Sequence, residues 1–566
     1  MESGISSVDW FALTLYLLGI TVIGVWTARK VKDSADFFMG GRRFGKAFMV
    51  FFAFGAGTNG NQAVTVASKT YTNGLSGIWY QWLWLFATPF YWVIAPIFRR
   101  MRALTTGDYF DFRYGPATAG LYTLVGVLQL SVFIGVMLLG SSAVIEAVSG
   151  GQIDRVWGIF GITVLFVIYG VAGGLNAAIV TDFIQGILTV LFSFMLLPFA
   201  LKAVGGFAGL HASIEQESMF SLVAPGEINL FHIIIFSFNA LIGIVTQPHI
   251  MGVCGAGKTE LDGSVGIAGG NLLKRVCTVA WVLTGLCGVV LYKNLTGTDV
   301  DQVYGKMAAE LLPQILPGLV GIFIAALLAS IMSSCDAFMV ASSGLFTENF
   351  YKRFLVPDRE ESHYVTVGRI ASVFIVAGSI LFAFKTKTTP EGLETFLKLQ
   401  AMMGAAFWVG LFWRRATPAG AWAGTLVAFA IMVITGQDFF HTLAAEHFPK
   451  FMIWDEKFRV SFQMLFYLIG GFGTCIVVSF FTQPVPKERL DRFYNCLRTP
   501  VESEEPHLAP FTLPEGTEPG KPRKVIDKPN WELYVPSRRD ILGFAGFWAC
   551  VFIMIWFVRQ MAQWGA

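Results

Sequence analysis

The chain has 566 residues, of which 54% are hydrophobic and 15% aromatic, while only 14% are charged. With a mean hydropathy of +0.60 it is too apolar and too sparsely charged for a string of soluble domains. A formal net charge of +3 with no basic tract gives nucleic acid no footing, and the composition points to a multi-pass protein of a cell membrane, bacterial inner or plasma.

Apolar runs of roughly 18 or more residues bounded by charges or turn residues mark candidate spans. They fall at about 9–28, 47–68, 75–98, 117–147, 155–172, 175–203, 228–252, 266–292, 316–344, 364–385, 393–413, 416–435, 460–482 and 540–560, about fourteen in all. The amino terminus "MESGISSVDW" lacks a basic n-region, so no cleaved signal peptide is expected. Six basic residues follow the first span in "TARKVKDSADFFMGGRRFGK", and further clusters follow the third, ninth, eleventh and thirteenth spans. Placing all of these inside puts both termini outside and the segment 483–539 in the cytoplasm. The Pro, Glu and Lys content of that segment predicts a mostly irregular linker. The seven cysteines lie mostly in apolar runs without paired spacing and read as reduced thiols. With no P-loop and no Ser/His/Asp or metal grouping, neither ATP as energy source nor an enzyme is expected, and no cofactor.

Polar residues inside the spans carry the functional signal. Counting the run from residue 47 as core helix 1, "FAFGAGTNGNQAV" sets Gly55, Gly57 and Gly60 among Thr58, Asn59, Asn61 and Gln62. Glycines with amides in an apolar run predict a local break whose carbonyls are free for an ion or solute. Core helix 5 carries Asp182 in "GGLNAAIVTDFIQG". Core helix 6, "NALIGIVTQPHIMG", is interrupted by Gly243, Gln247 and Pro248, and two broken spans at matching positions point to a transporter of inverted repeats. In core helix 8, "LLASIMSSCDAFMVASSG", the i, i+3, i+4 spacing sets Ser330, Ser333 and Ser334 on one face. Hydroxyls in that pattern suit a small hard cation such as sodium, although serines also bond back to carbonyls a turn earlier. Asp336 adds a carboxylate, which costs on the order of 3 kcal/mol near mid-membrane. With Asp182 at similar depth it suggests a cation path, an Asp182 cap on a neighbouring helix being the alternative.

At these residues the chain resembles the sodium/solute symporter family, in its sodium/glucose-cotransporter-like form with a LeuT-type fold. The resemblance is carried by "SADFFMGGRRFG", "YGVAGGLNAAIVTDFIQ", "AALLASIMSSCDA…FTENFYKRF" and "GLFWRRATPAGAWAG". It implies an all-α integral membrane protein whose core is an inverted five-plus-five helix repeat. The first transmembrane helix and its loop then occupy 1–46, core repeat 1 (helices 1–5) 47–203 and core repeat 2 (helices 6–10) 204–413. Two peripheral helices follow at 414–482, the cytoplasmic linker at 483–539 and the last transmembrane helix at 540–566. By the same resemblance, sodium takes carbonyls of Gly55, Thr58 and Ser330 and the hydroxyls of Ser333 and Ser334. A second sodium, or an ion path, falls on Asp182 and Asp336, and the solute contacts on Gln62, Tyr80, Gln81, Asn239 and Lys274.

Gln81 stands where the sugar branch has an acid, and Ile242 where an aromatic gate is expected. Lys274 with Arg275 also reads as a basic pair snorkelling to the surface, and His249 as a packed core histidine. The expected protein is a sodium-coupled symporter importing a small polar solute, a sugar or sugar derivative. Rivals are a sodium- or proton-coupled carboxylate or amino-acid symporter, and a membrane sensor of transporter fold. Its partners are the solute, sodium and the bilayer, with no obligate protein partner.

Overall fold

A computed structural model describes residues 5–28, 45–103, 105–224, 226–502, 505 and 509–566, with the side chains of 21, 23–28 and 169–182 outside that description. Among the described residues nine helices are long and apolar enough to cross a membrane, and a bent pair, Leu230–Gly243 with Pro248–Gly255, makes a tenth. The run expected at 47–68 is two helices, Lys46–Gly57 and Gly60–Asn73. The one at 75–98 is a 3₁₀ turn Gly74–Ile78, a short helix Trp79–Trp82 and the helix Thr88–Arg100, with Pro89 at its start. One boundary differs from expectation. The turn foreseen between 172 and 175 is absent, and the backbone is helical from Arg155 to Met195. Gly-Gly-Leu-Asn alone does not stop a helix that has no proline, and the interruption comes instead before Leu197–Ala203, which carries Pro198. Counting this stretch as one crossing or two changes which side the later loops face.

Core helix 8 is Leu319–Phe346 and lies at the centre, with 89% of its most apolar window buried. Against it pack the helix Pro116–Val148, the helix Arg155–Met195 and the first half of core helix 1. Core helix 7, Glu260–Leu291, starts at a capping box made by Thr259 and Asp262. It then runs so close to core helix 1 that a Cβ on Gly266 would meet Met49 Cβ at 2.5 Å. A Cβ on Gly270 would meet Val50 O and Phe54 N at 2.7 Å, both backbone atoms that cannot turn aside. This is the small-residue contact that lets membrane helices approach. Gly270→Val should therefore force the helices apart and destabilise the protein by about 1–3 kcal/mol or more, read as a lower thermal midpoint; an unchanged midpoint would show a looser contact.

The described residues of 483–539, after the helix Val460–Phe481, are mostly irregular, as expected, but they are anchored to the bundle. Their helix Lys487–Arg498 buries Leu490, Phe493, Tyr494 and Leu497, an i, i+3, i+4, i+7 stripe. Around it, Arg102 pairs with Glu505 inside the protein, Arg414 pairs with Glu532 and at 2.8 Å with Asp491, and Phe511 N donates to Met101 O at 2.9 Å. These contacts fold the described residues of 487–535 across one face of the helix bundle, the strap face. The far end of core helix 1 and the start of core helix 10, which is Thr389–Ala401 followed by Gly404–Phe412, meet at the opposite face. There Asp301 accepts from Ser68 Oγ at 2.8 Å and from Thr389 N at 2.8 Å. Burial pushes the Asp301 carboxyl up, and the Thr389 and Ser68 hydrogen bonds partly offset this.

Candidate functional site

Both breaks in the core have a local cause. Thr58 (φ −126°, ψ 123°) and Asn59 (φ −143°, ψ 161°) are extended, so core helix 1 stops at Gly57 and restarts at Gly60. In core helix 6, Ile244–Gln247 separates two halves bent by 62°, and Pro248 opens the second half, where its missing N–H costs nothing. That break is held by core helix 10, since Thr246 Oγ1 donates to Gln400 O and Gln247 Nε2 to Gln400 Oε1.

The carbonyls released at the first break are shared between two neighbours. Toward core helix 8, Gly55 O accepts from Ser334 Oγ at 2.9 Å, and Thr58 O lies 3.4 Å from the same hydroxyl. Ser330 Oγ accepts Gly60 N at 2.9 Å and donates to Leu327 O at 2.7 Å, which caps the second half of core helix 1. Ser333 is buried beside Ser334. Toward core helix 7, Gly57 O accepts from Lys274 Nζ and, at 3.0 Å, from Gln62 Nε2. Among the described residues Thr58 Oγ1, both amide atoms of Asn59, Asn61 Oδ1 and Gln62 Oε1 are buried without a hydrogen-bond partner. Orphaned polar atoms at this density are costly in a packed core and mark a site where something else binds.

A cavity of about 30 Å³ lies against the break, lined by Gly57, Trp84, Gln247, Asn271, Lys274 and Phe396 among others. That is room for about one water molecule, too small for a sugar or amino acid in this conformation. Lys274 and Arg275 lie 5.5 and 5.8 Å from the Trp84 ring centre. Arg275 also donates to Gln81 O at 2.6 Å and Asn271 Oδ1 at 3.2 Å, so this basic pair is buried, not snorkelling. His249, buried 4.4 Å from the Phe338 ring, lines the same cavity. The charged residues of the lining are Lys274 and Arg275, both cations.

Of the five solute-contact candidates, Gln62 and Lys274 meet at Gly57 O. Gln81 lies next to them through Arg275, its amide buried and unpartnered. Two are held elsewhere: Asn239 donates to Leu397 O at 2.9 Å and accepts from Tyr467 at 2.6 Å, and Tyr80 donates to Glu394 at 2.8 Å. Asp336 is 1% exposed, and among the described residues neither of its carboxylate oxygens has a partner, while the Asp182 side chain lies outside the described residues.

Tyr80 opens onto a cluster that reading the sequence missed. Lys69 pairs with Glu227 at 2.7 Å, and its Nζ lies 4.7 Å from the Tyr80 ring centre. Glu394 takes the Tyr80 hydroxyl, and one turn on Lys398 donates to Gln463 at 2.7 Å. The signal available was Glu394 and Lys398 at i, i+4 inside an apolar run. Burial raises the Glu227 carboxyl, but Lys69 beside it more than offsets this and holds it below the usual range. A depressed pKa means that the pairing contributes stability above the ordinary glutamate pKa of about 4.3 and is lost only as pH falls through the lower folded value.

The model of the sodium:solute symporter family matches residues 37–428. The osmoregulated proline transporter OpuE of Bacillus subtilis is 28% identical over 75% of this chain and 87% of its own. The sodium/glucose cotransporter of Vibrio parahaemolyticus is 25% identical, covering 76% and 86%. Among solved structures, the substrate-bound outward-open state of a Na⁺-coupled sialic acid symporter superposes with a TM-score of 0.71 at 18% identity, covering 85% of this chain and 99% of that one. The fold is thus the LeuT-type fold of sodium symporters.

Proposed function

The chain belongs to the sodium:solute symporter family, and we propose that it imports a small polar organic solute, a sugar or sugar derivative, together with sodium across a cell membrane. Sodium is the family's coupling ion, and the protein is a transporter rather than an enzyme. The observation that carries the reading is the shared break in core helix 1, whose carbonyls meet a serine hydroxyl of core helix 8 on one side and the Lys274 ammonium on the other. We assign sodium to Gly55 O, Thr58 O and the Ser330 carbonyl with the Ser333 and Ser334 hydroxyls. The solute we assign to Lys274, Gln62 and the Gln81 amide, with Tyr80 and Asn239 joining only if their present partners let go. A second sodium, or an ion exit path, is assigned to Asp336 with Asp182.

In this reading sodium pulls the first half of core helix 1 onto core helix 8 and fixes the break. The completed site takes the solute, and both leave on the other side by alternating access. Counting 155–172 and 175–203 as two crossings, the basic loops and the described residues of 487–535 face the cytoplasm, with both termini outside. Membrane potential then adds roughly 2.3 kcal/mol per charge per 100 mV.

A carboxylate or amino-acid solute is the second reading. It is favoured by the two cations of the cavity lining and by the likeness to a proline transporter. The full chain in proteoliposomes, given glucose, myo-inositol, sialic acid, proline and a cationic amine in turn, separates these readings. Sodium-driven uptake of a sugar or sugar derivative is the expected result. Uptake of proline alone selects the second reading, whereas uptake that ignores sodium and collapses with a protonophore overturns sodium coupling. In the same assay Asp336→Asn should change the sodium dependence more than the solute preference.

A further inference from the structure

We infer that an anionic phospholipid of the bilayer binds in a groove at the strap face, one acyl chain in the groove and its phosphate on Lys528 and Arg415. The groove encloses about 700 Å³, within the range of sites that hold small organic ligands. Its walls are the last turns of two helices, with Trp408, Phe412 and Trp413 on one and Phe472, Ile476 and Phe480 on the other. The strap residues Lys528–Trp531 close its floor. Arg414 N donates to Asn530 O at 2.9 Å and Glu532 N to Phe412 O at 2.9 Å, so floor and wall are one structure.

The apolar walls are not covered by the chain itself. Phe480 is 60% exposed and Trp531 38%. An apolar trough open at the ends of membrane helices, edged by tryptophans, sits where acyl chain meets headgroup.

Charge decides the headgroup. The neighbouring cations are already neutralised, Arg414 by Asp491 and Glu532, and Lys524 by Glu532 at 3.5 Å. Lys528 and Arg415 have no carboxylate partner among the described residues. Arg415 Nη2 donates to Phe480 O at 3.0 Å, which holds its guanidinium beside the groove wall. A guanidinium without a carboxylate partner beside the trough and an exposed ammonium at its floor match a phosphodiester on a hydrocarbon chain. A zwitterionic lipid would set its own cation against them.

The test uses the purified full chain in detergent, with binding read by native mass spectrometry and by the thermal midpoint. The probes are dioleoylphosphatidylglycerol, dioleoylphosphatidylcholine and inorganic phosphate. Phosphatidylglycerol should bind saturably and raise the midpoint, phosphatidylcholine should bind roughly fivefold or more weakly, and phosphate alone should do neither. Lys528→Glu, an exposed change that leaves the walls intact, should erase the preference between the lipids. Ile476→Trp should fill the groove and weaken both. Equal binding of the two lipids, an unchanged preference in Lys528→Glu, the full effect from phosphate alone, or a dimer that covers this face would each overturn the proposal.

Discussion

Ser334→Ala is expected to raise the sodium concentration for half-maximal uptake by roughly tenfold to a hundredfold while the protein still folds. The Ser334 hydroxyl now spends its proton on Gly55 O at 2.9 Å. When a cation arrives, both oxygens can turn to it, and the ion replaces the proton between them. Losing that hydroxyl removes one buried polar contact, worth about 1–3 kcal/mol, which is the stated range in affinity. Ser333→Ala should act in the same direction. Ser330→Ala should differ in kind, because its hydroxyl caps Gly60 N; losing it loosens the break itself and weakens sodium and solute together. The measurement is uptake against sodium at fixed solute, followed by solute affinity at saturating sodium. Unchanged sodium dependence in both Ser333→Ala and Ser334→Ala would sink the assignment.

Much of this architecture is legible in the chain because membrane burial makes polar residues conspicuous. An Asn-Gly-Asn-Gln run in core helix 1 has no cheap place in lipid, so its break can be read from composition, and Thr58 and Asn59 are extended. The serine face of core helix 8 follows from helical spacing in the same way. Partners far apart in sequence are not legible. Nothing near Asn239 announces Tyr467 or the carbonyl of Leu397, which hold its amide away from the cavity. Tyr80 reads as a flat surface for a sugar until Glu394 and Glu227 are seen around its hydroxyl. The turn expected at 173–174 failed for a local reason: glycine and asparagine permit a turn, but without proline they do not require one. The strap is mostly irregular, as expected, but its anchoring was not legible, because charge and proline content describe a segment's solubility and not its anchors. Leu490, Phe493, Tyr494 and Leu497 carried the amphipathic stripe that gave its helix away.

The second large effect concerns Lys274, and its size distinguishes the two solute classes. Its ammonium now donates to Gly57 O, beside Gln62 Nε2 on the same carbonyl. A bound solute must take over that donor, and Gly57 belongs to the break whose other carbonyls face Ser334. On the proposed assignment sodium and solute would act on two sides of one break, sodium at Gly55 and Thr58 and the solute at Gly57, which would couple them without a longer relay. If the solute offers hydroxyls, Lys274→Ala removes one hydrogen bond and should weaken binding about tenfold to a hundredfold. Lys274→Gln, still a donor, should recover part of it. If the solute offers a carboxylate, the same truncation strips one partner from a buried charge pair at about 2–5 kcal/mol. Binding then falls by roughly a hundredfold or more, and the neutral amide restores little. Lys274→Arg should rescue neither, because the guanidinium is broad and flat where Trp84 and Arg275 already fill the space. Solute binding to these three variants at saturating sodium reads the answer directly. Normal affinity in Lys274→Ala, or a cationic solute as the true substrate, would show that the ammonium belongs to the closed helix packing alone and that the solute binds elsewhere.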